Sequence, residues 1–265
     1  MIDFHNHVLP NIDDGSKSLD MSIDMLKHAY EQGITDVVNT VHYQHPKMEG
    51  KNINFSIIKK EIKLLQEELI KRDINIKLHC GSEVFFLPNL MQIKDDPLST
   101  FIHGKYMLIE FQFHQIPKIQ KQQLFDLKMA GVTPIIAHPE RYKAVQEDLS
   151  LVTNWLEMEC IIQIDAGSIL GTLGSRAKKA SETIIKNGWS HILGSDSHDD
   201  KSRNFCLKDA KKIVDGWIGN ESIKMVKDNP KSIIEGKNIK YDFEYDKNLS
   251  NSNYFWPIKK YFGAK

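Results

Sequence analysis

The sequence predicts an α/β fold in a single domain, a parallel β/α barrel that is closed or nearly closed. Three observations carry this. Short strand-like runs alternate with helical segments along most of the chain, the rhythm of right-handed βαβ units. The runs are largely apolar from end to end, as strands covered on both faces are. Seven such runs fit into 265 residues, a length at which β/α barrels form one domain.

The elements follow in order. A first apolar strand ends in His5-Asn6-His7, and a turn carries Asp13-Asp14-Gly15. Ser18 caps a helix to about residue 32, with Leu19, Ile23, Leu26 and Tyr30 at helical spacing and Gly33 as its stop. The second strand spans 34–41, with His42 after it. A helix over 55–72 carries the stripe Ile58, Ile62, Leu65 and Leu69, and the strand 74–80 places Glu83 just beyond its end. Residues 106–109 form a strand ending at Glu110, a helix over 119–129 stops at Gly131, and 132–137 leads to His138. A helix over 149–158 precedes the strand 160–165, which ends in Asp165. A helix over 176–186 stops at Gly188, and 191–194 leads into Ser195-Asp196-Ser197-His198. A helix is expected over 209–227, with Asn229-Pro230 ending it or opening a short last helix. The barrel is expected over 1–240, and 241–265, with Tyr254-Phe255-Trp256, as an extension.

Composition narrows the function classes. Lys+Arg and Asp+Glu number 35 each, and the basic residues come in scattered pairs, which speaks against a nucleic-acid surface. No apolar run reaches the ~18 residues of a membrane span, and no basic-then-apolar leader precedes Asp3. Three cysteines far apart (Cys80, Cys160, Cys206) fit a reducing compartment. A cytoplasmic protein is expected. The cysteine-dependent phosphatase route, which needs Arg six positions after Cys, is out: positions 86, 166 and 212 hold Phe, Ala and Lys.

In β/α barrels the chemistry sits at the carboxyl ends of the strands. His5 and His7, His42, Glu83, Glu110, His138, and Asp196 and His198 fall at six of the seven ends; Asp165 supplies only a carboxylate at the other. The His-x-His spacing aims two imidazoles one way along a strand. Any one of these is more often an ordinary hydrogen-bonded side chain, and Asp14 before Gly15 is common turn chemistry. Together they would converge on one mouth, where without a metal they would repel or stay unpaired. Mixed imidazole and carboxylate donors suit Mn, Fe or Zn. His28, His45, His79, His103, His114 and His191 do not share the placement and are read as structural; Phe85, Phe86, Phe111 and Phe113 are read as core, with an aromatic wall for a substrate ring as the lesser alternative for one of them.

These motifs, with Ile109-Glu110-Phe111, His138-Pro139-Glu140-Arg141 and Arg203-Asn204-Phe205, resemble the polymerase-and-histidinol-phosphatase (PHP) superfamily. Within it they are similar to the bacterial CpsB/CapC/YwqE group of manganese-dependent protein-tyrosine phosphatases, over residues 1 to about 236. The resemblance implies a distorted, TIM-like (β/α)7 barrel holding three divalent metal ions, manganese first and iron or zinc as alternatives. It puts His5, His7, Glu83 and Asp196 on one metal, Glu83, Glu110 and His138 on a second, and Asp14, His42 and His198 on a third. It makes Arg141 and Arg203 the phosphate-binding residues, leaving His42 and Asp14 as candidates for the general acid. It further implies hydrolysis by a metal-activated water. The substrate would be a phosphotyrosine protein, a bacterial tyrosine kinase tail of capsule or exopolysaccharide assembly, with no nucleic-acid partner and no membrane insertion; a homo-oligomer is left open. The rival readings are a small-molecule PHP phosphatase such as histidinol phosphatase and, from another class, a metal-stabilised binding protein without turnover.

Overall fold

The computed structural model describes residues 1–239; the extension expected over 241–265 lies outside them. β1 (Ile2–Asn6) is fully buried. α1 (Leu19–Glu31) begins where Ser18 accepts a hydrogen bond from the Met21 N–H at 3.1 Å, a cap worth about 1 kcal/mol. β2 (Asp36–Tyr43), α2 (Phe55–Lys71) and β3 (Lys77–Phe85) follow. Both strands run past the ends expected for them, so that His42 and Glu83 lie inside strands rather than after them. A short α3 (Leu90–Ile93), β4 (Tyr106–Glu110), α4 (Gln120–Met129) and β5 (Thr133–Ile136) come next, then α5 (Lys143–Glu147), α6 (Ser150–Glu157) and β6 (Ile161–Asp165). The chain ends its described course with α7 (Ala166–Leu170), α8 (Ser175–Lys186), β7 (Ile192–Gly194), α9 (Leu207–Ile218) and α10 (Asn229–Ile234). The long helix expected over 209–227 is broken at Gly219, whose φ of 63° is open to glycine.

The seven strands lie in sequence order, every neighbouring pair parallel. The first strand and the segment after the last are joined by backbone bonds, His7 N to Ser197 O at 2.9 Å and Asp196 N to His5 O at 2.7 Å, which nearly close the ring. Two apolar layers result. Val37, Ile109, Ile136, Ile162 and Leu193 pack outward against helix residues such as Leu26, Leu65, Leu124, Trp155 and Ile184. Ile2, Phe4, Val38, Leu108, Ile135, Ile161 and Ile192 fill the barrel, with Ile233 of α10 among them.

The register of β1 against β2 shifts between Asp3 and Asn6: three steps on β1 face two steps, Val37 to Asn39, on β2. The extra residue is a β-bulge. Strict alternation would send His5 to the face opposite Phe4. With the bulge, Phe4 joins the inner layer and His5 still reaches Glu83, which is paired with the inner residue Leu108.

Candidate metal centre

All the strand-end residues singled out in the sequence meet at one mouth. His5 and His7 come from β1 and the residue after it, His42 from β2, Glu83 from β3 and Glu110 from β4. His138 follows β5, Asp196 and His198 follow β7, and Asp14 reaches in from the turn after β1. His138 and Asp196 both have left-handed backbone, φ 31° and 46°, a conformation non-glycine residues hold mainly where the surroundings impose it.

The distances divide the cluster. The Nε2 atoms of His5 and His7 lie 3.3 and 3.5 Å from Glu83 Oε2, and both lie 3.4 Å from Asp196 Oδ1. His138 Nε2 is 2.9 Å from Glu83 Oε1 and 3.9 Å from Glu110 Oε1. Asp14 Oδ1 is 3.2 Å from His42 Nε2 and 3.3 Å from His198 Nε2. The Nδ1 of His42 lies 3.2 Å from Glu83 Oε2, so one imidazole sits between two groups of donors. These are spacings at which several donors can share one cation, and four such groups occur among the described residues.

Several inward atoms are buried without a hydrogen-bond partner: Nε2 of His5 and His7, Nδ1 of His42, Oδ1 of Asp14 and Oε2 of Glu110. Buried polar atoms are rarely orphaned without a reason. The outer atoms, by contrast, are held. His7 Nδ1 lies 2.7 Å from Asp13 Oδ2 and His5 Nδ1 3.1 Å from Gln163 Oε1. A ring N–H given to an outer acceptor leaves the other nitrogen's lone pair facing inward, as metal ligation requires. The donor set and its orientation therefore fit divalent cations.

Glycine is required in two places by contact rather than by φ. A Cβ on Gly15 would stand 2.1 Å from His7 O, and one on Gly194 would stand 2.4 Å from His5 Cβ. The Asp-Asp-Gly turn and the last strand can approach the histidine strand only without side chains there.

Charge is tightly coupled across the mouth. Burial works against protonated imidazole, but Glu83 and Asp196 outweigh it and raise His5 to about 9. His42 is likewise raised to about 10: burial and His7 oppose its charge, and the carboxylates of Asp14 and Glu83 beside it prevail. Burial, reinforced by the Glu83 charge, pushes Glu110 up to about 8. Asp14 moves the other way, because His198 and His42 outweigh its own burial and hold its carboxyl low.

Arg141 and Arg203 flank the cluster on the loops after β5 and β7. Arg141 donates to Asp196 and, at 3.2 Å, to Asp165 Oδ2; Arg203 donates to Asp196 Oδ2 at 2.6 Å. The strand end that offered only Asp165 thus holds a guanidinium. Four further features escaped the sequence reading. Asp13 buttresses His7. Gln163 joins the His5 ring to the His138 N–H, at 3.1 Å to each. Asp3 accepts from the Ser195 N–H at 3.0 Å. His45, read as structural, places Nε2 3.7 Å from Glu110 Oε2, with its ring 4.5 Å from that of His42. Only the doubled carboxylate of Asp13-Asp14 was a visible signal. Of the four phenylalanines read as core, Phe86 and Phe111 are buried, whereas Phe113 is exposed and Phe85 packs edge-on against His45.

The family model described as capsular polysaccharide synthesis, CpsB/CapC, matches residues 1–235. The putative tyrosine-protein phosphatase CapC of Staphylococcus aureus is 34% identical over 209 residues, 78% of this chain and 81% of that one. The tyrosine-protein phosphatase YwqE of Bacillus subtilis is 31% identical over 240 residues, 90% of this chain and 93% of its own. A solved structure from work on YwqE of Bacillus subtilis and CpsB of Streptococcus pneumoniae, described as metal-dependent tyrosine phosphatases, superposes with a TM-score of 0.85 at 32% identity, covering 91% of this chain and 96% of that one. The histidinol phosphate phosphatase of Lactococcus lactis shares the fold at a TM-score of 0.53 and 14% identity, over 82% of this chain and 93% of that one.

Proposed function

The chain belongs to the CpsB/CapC family, and from that premise we propose that it is a metal-dependent protein-tyrosine phosphatase acting on a bacterial tyrosine kinase of capsule or exopolysaccharide assembly. The observation that carries this reading is the convergence of imidazoles and carboxylates from across the barrel on one mouth, several of their inward atoms buried and unpartnered.

His5, His7, Glu83 and Asp196 would hold one divalent cation, and Glu83 would share a second with Glu110 and His138. Asp14, His42 and His198 would hold the third; the donor types favour manganese, with iron or zinc compatible. When bound, such cations supply Lewis acidity, making a water more acidic and neutralising charge on the phosphoryl oxygens. Three divalent cations against four carboxylates leave about two positive charges when the histidines are neutral, which suits a phosphomonoester dianion.

The chain's own residues supply the remainder. Arg141 and Arg203 present planar donor forks that match phosphate oxygens as lysine does not. Their present hold on Asp196 keeps both guanidinium groups at the edge of the cluster. The leaving phenolate, with a free pKa of ~10, needs less protonation than an alkoxide. Asp14, part exposed, and His42, 3.2 Å from it, stand where a water that gives that oxygen a proton can be held. All these side chains come from one chain, so the chemistry does not require a homo-oligomer. The extent of the family match, ending at 235, supports a barrel over 1–240 with 241–265 as an extension. A kinase tail as substrate puts the enzyme in the cytoplasm.

The test is turnover after chelation and manganese addition. Manganese-dependent release of phosphate from a phosphotyrosine peptide, well above that from histidinol phosphate, is the expected result. The reverse preference would make the protein a small-molecule phosphatase. No release from any aryl phosphate by the manganese-loaded chain would make it a metal-stabilised binding protein. Asp196→Asn is expected to lower bound metal, and Arg141→Ala to weaken inhibition by phosphate with metal content kept; equal metal loss in both would refute the division of roles.

A further inference from the structure

Beside the metal centre lies a cavity of about 530 Å³, within the range of small-molecule sites. It is formed by the loops after β2 and β3, the strands that carry His42 and Glu83. Tyr43, His45, Met48, Ile53 and Leu87 line it. Its inner wall is His45, whose other edge faces Glu110.

The wall is preset. His45 Nδ1 accepts from the Lys47 N–H at 3.0 Å, and its ring meets Phe85 edge-on with centroids 4.8 Å apart. The Tyr43 hydroxyl donates to Asp96 Oδ2 at 2.8 Å, which fixes the ring that lines the cavity. Lys51 Nζ donates to Ile12 O at 3.0 Å and so ties the cavity's outer loop to the turn carrying Asp14.

The two flanks of the metal centre differ in chemistry. The loops after β5 and β7 carry Arg141 and Arg203, and the loops after β2 and β3 carry this space with its apolar and aromatic side chains, which Gln44, Glu49 and Lys51 also line. A phosphomonoester seated with its free oxygens toward the arginines turns its ester oxygen, and whatever that oxygen carries, to the other flank. We propose that the cavity receives the aromatic ring of the phosphotyrosyl group, with His45, Ile53 and Leu87 as specificity-determining residues that favour aryl over alkyl phosphomonoesters. This rests on the phosphatase reading and names its ring subsite. Edge-to-face contact with His45 and burial against Leu87 and Ile53 suit a flat apolar ring, and a small alkyl group would leave most of the space to water.

Phosphonates test this without confusing binding with leaving-group reactivity. In the manganese-loaded full chain, phenylphosphonate is expected to inhibit at least about tenfold more tightly than methylphosphonate. Leu87→Asn and, separately, Ile53→Asn are expected to remove most of that advantage while leaving the methylphosphonate constant in place, which also shows that each variant is folded. Absence of an aryl preference in the unmodified chain, or equal weakening of both phosphonates in both variants, would overturn the proposal. So would variants that lower turnover of a phosphotyrosine peptide but leave phenylphosphonate unaffected, since the cavity would then hold flanking peptide. Failure of the phosphatase reading is read separately, as no hydrolysis of any aryl phosphate by the unmodified enzyme.

Discussion

Asp13 shows how much of this centre is held from outside the donor set. Its carboxylate accepts from His7 Nδ1 at 2.7 Å, from the His42 N–H at 3.1 Å and from the Gly15 N–H at 3.0 Å. Losing it would free the His7 ring and loosen the turn that carries Asp14. Asp13→Ala is expected to weaken manganese binding about ten- to a hundredfold, measured by titration calorimetry, with turnover largely restored by excess manganese; unchanged affinity would deny Asp13 this role. A second expectation concerns protons. His5 and His42, raised to about 9 and 10 by the carboxylates around them, hold protons at neutral pH in the metal-free chain. Cations must displace those protons, so metal affinity should rise with pH toward 9 and binding should release protons. Calorimetry in buffers of different ionisation enthalpy reads both; proton-neutral uptake at pH 7 would contradict the assignment.

At the scale of elements, β1 and β7 do the assembling. The bulge in β1 lets one strand serve the inner core with Phe4 and the centre with His5, and Gly194 lets β7 lie against it. The edge between β6 and β7 depends on another buried histidine, His191, whose Nδ1 accepts from the Ile162 N–H at 3.0 Å. Burial lowers His191 to about 4. The unfolded chain takes up this proton below about 6.5, whereas the folded chain does not until about 4, so stability falls as the pH drops through that window and levels off beneath it. The contribution is up to ~3 kcal/mol. Comparing denaturant midpoints at pH 6.5 and 4.5 for the unmodified chain and His191→Gln should show a smaller loss in the variant; equal losses would place the acid sensitivity elsewhere.

For the molecule as a whole, the chain has no net formal charge, yet it concentrates carboxylates, imidazoles and two guanidinium groups at one end of an apolar barrel. Cations that bind only the folded state stabilise it by mass action. Chelation is therefore expected to lower the melting temperature by several degrees, and manganese to restore it; a melting temperature indifferent to chelation would argue against an internal metal centre. Much of this was legible beforehand, because helix stops such as Gly33, Gly131 and Gly188 and apolar runs are local signals. The ends of β2 and β3 were not. Apolar patterning breaks at Gly81-Ser82-Glu83 before β3 resumes with Val84 and Phe85, so those three residues read as loop. His45 was missed for a related reason, since its direction is imposed by Lys47 and Phe85 after folding.

The order of strands and helices, the donor types at the strand ends and, through the motifs, the family are written locally in the chain. Which atoms meet is set by folding. It inserted the bulge that turns His5 inward, set Asp13 and Gln163 behind the histidines, gave Asp165 to Arg141 and opened the cavity beside His45. The physical reason is range: side-chain periodicity and turn chemistry act over a few residues, whereas the centre joins residue 5 to residue 196 through strand register and closure of the ring.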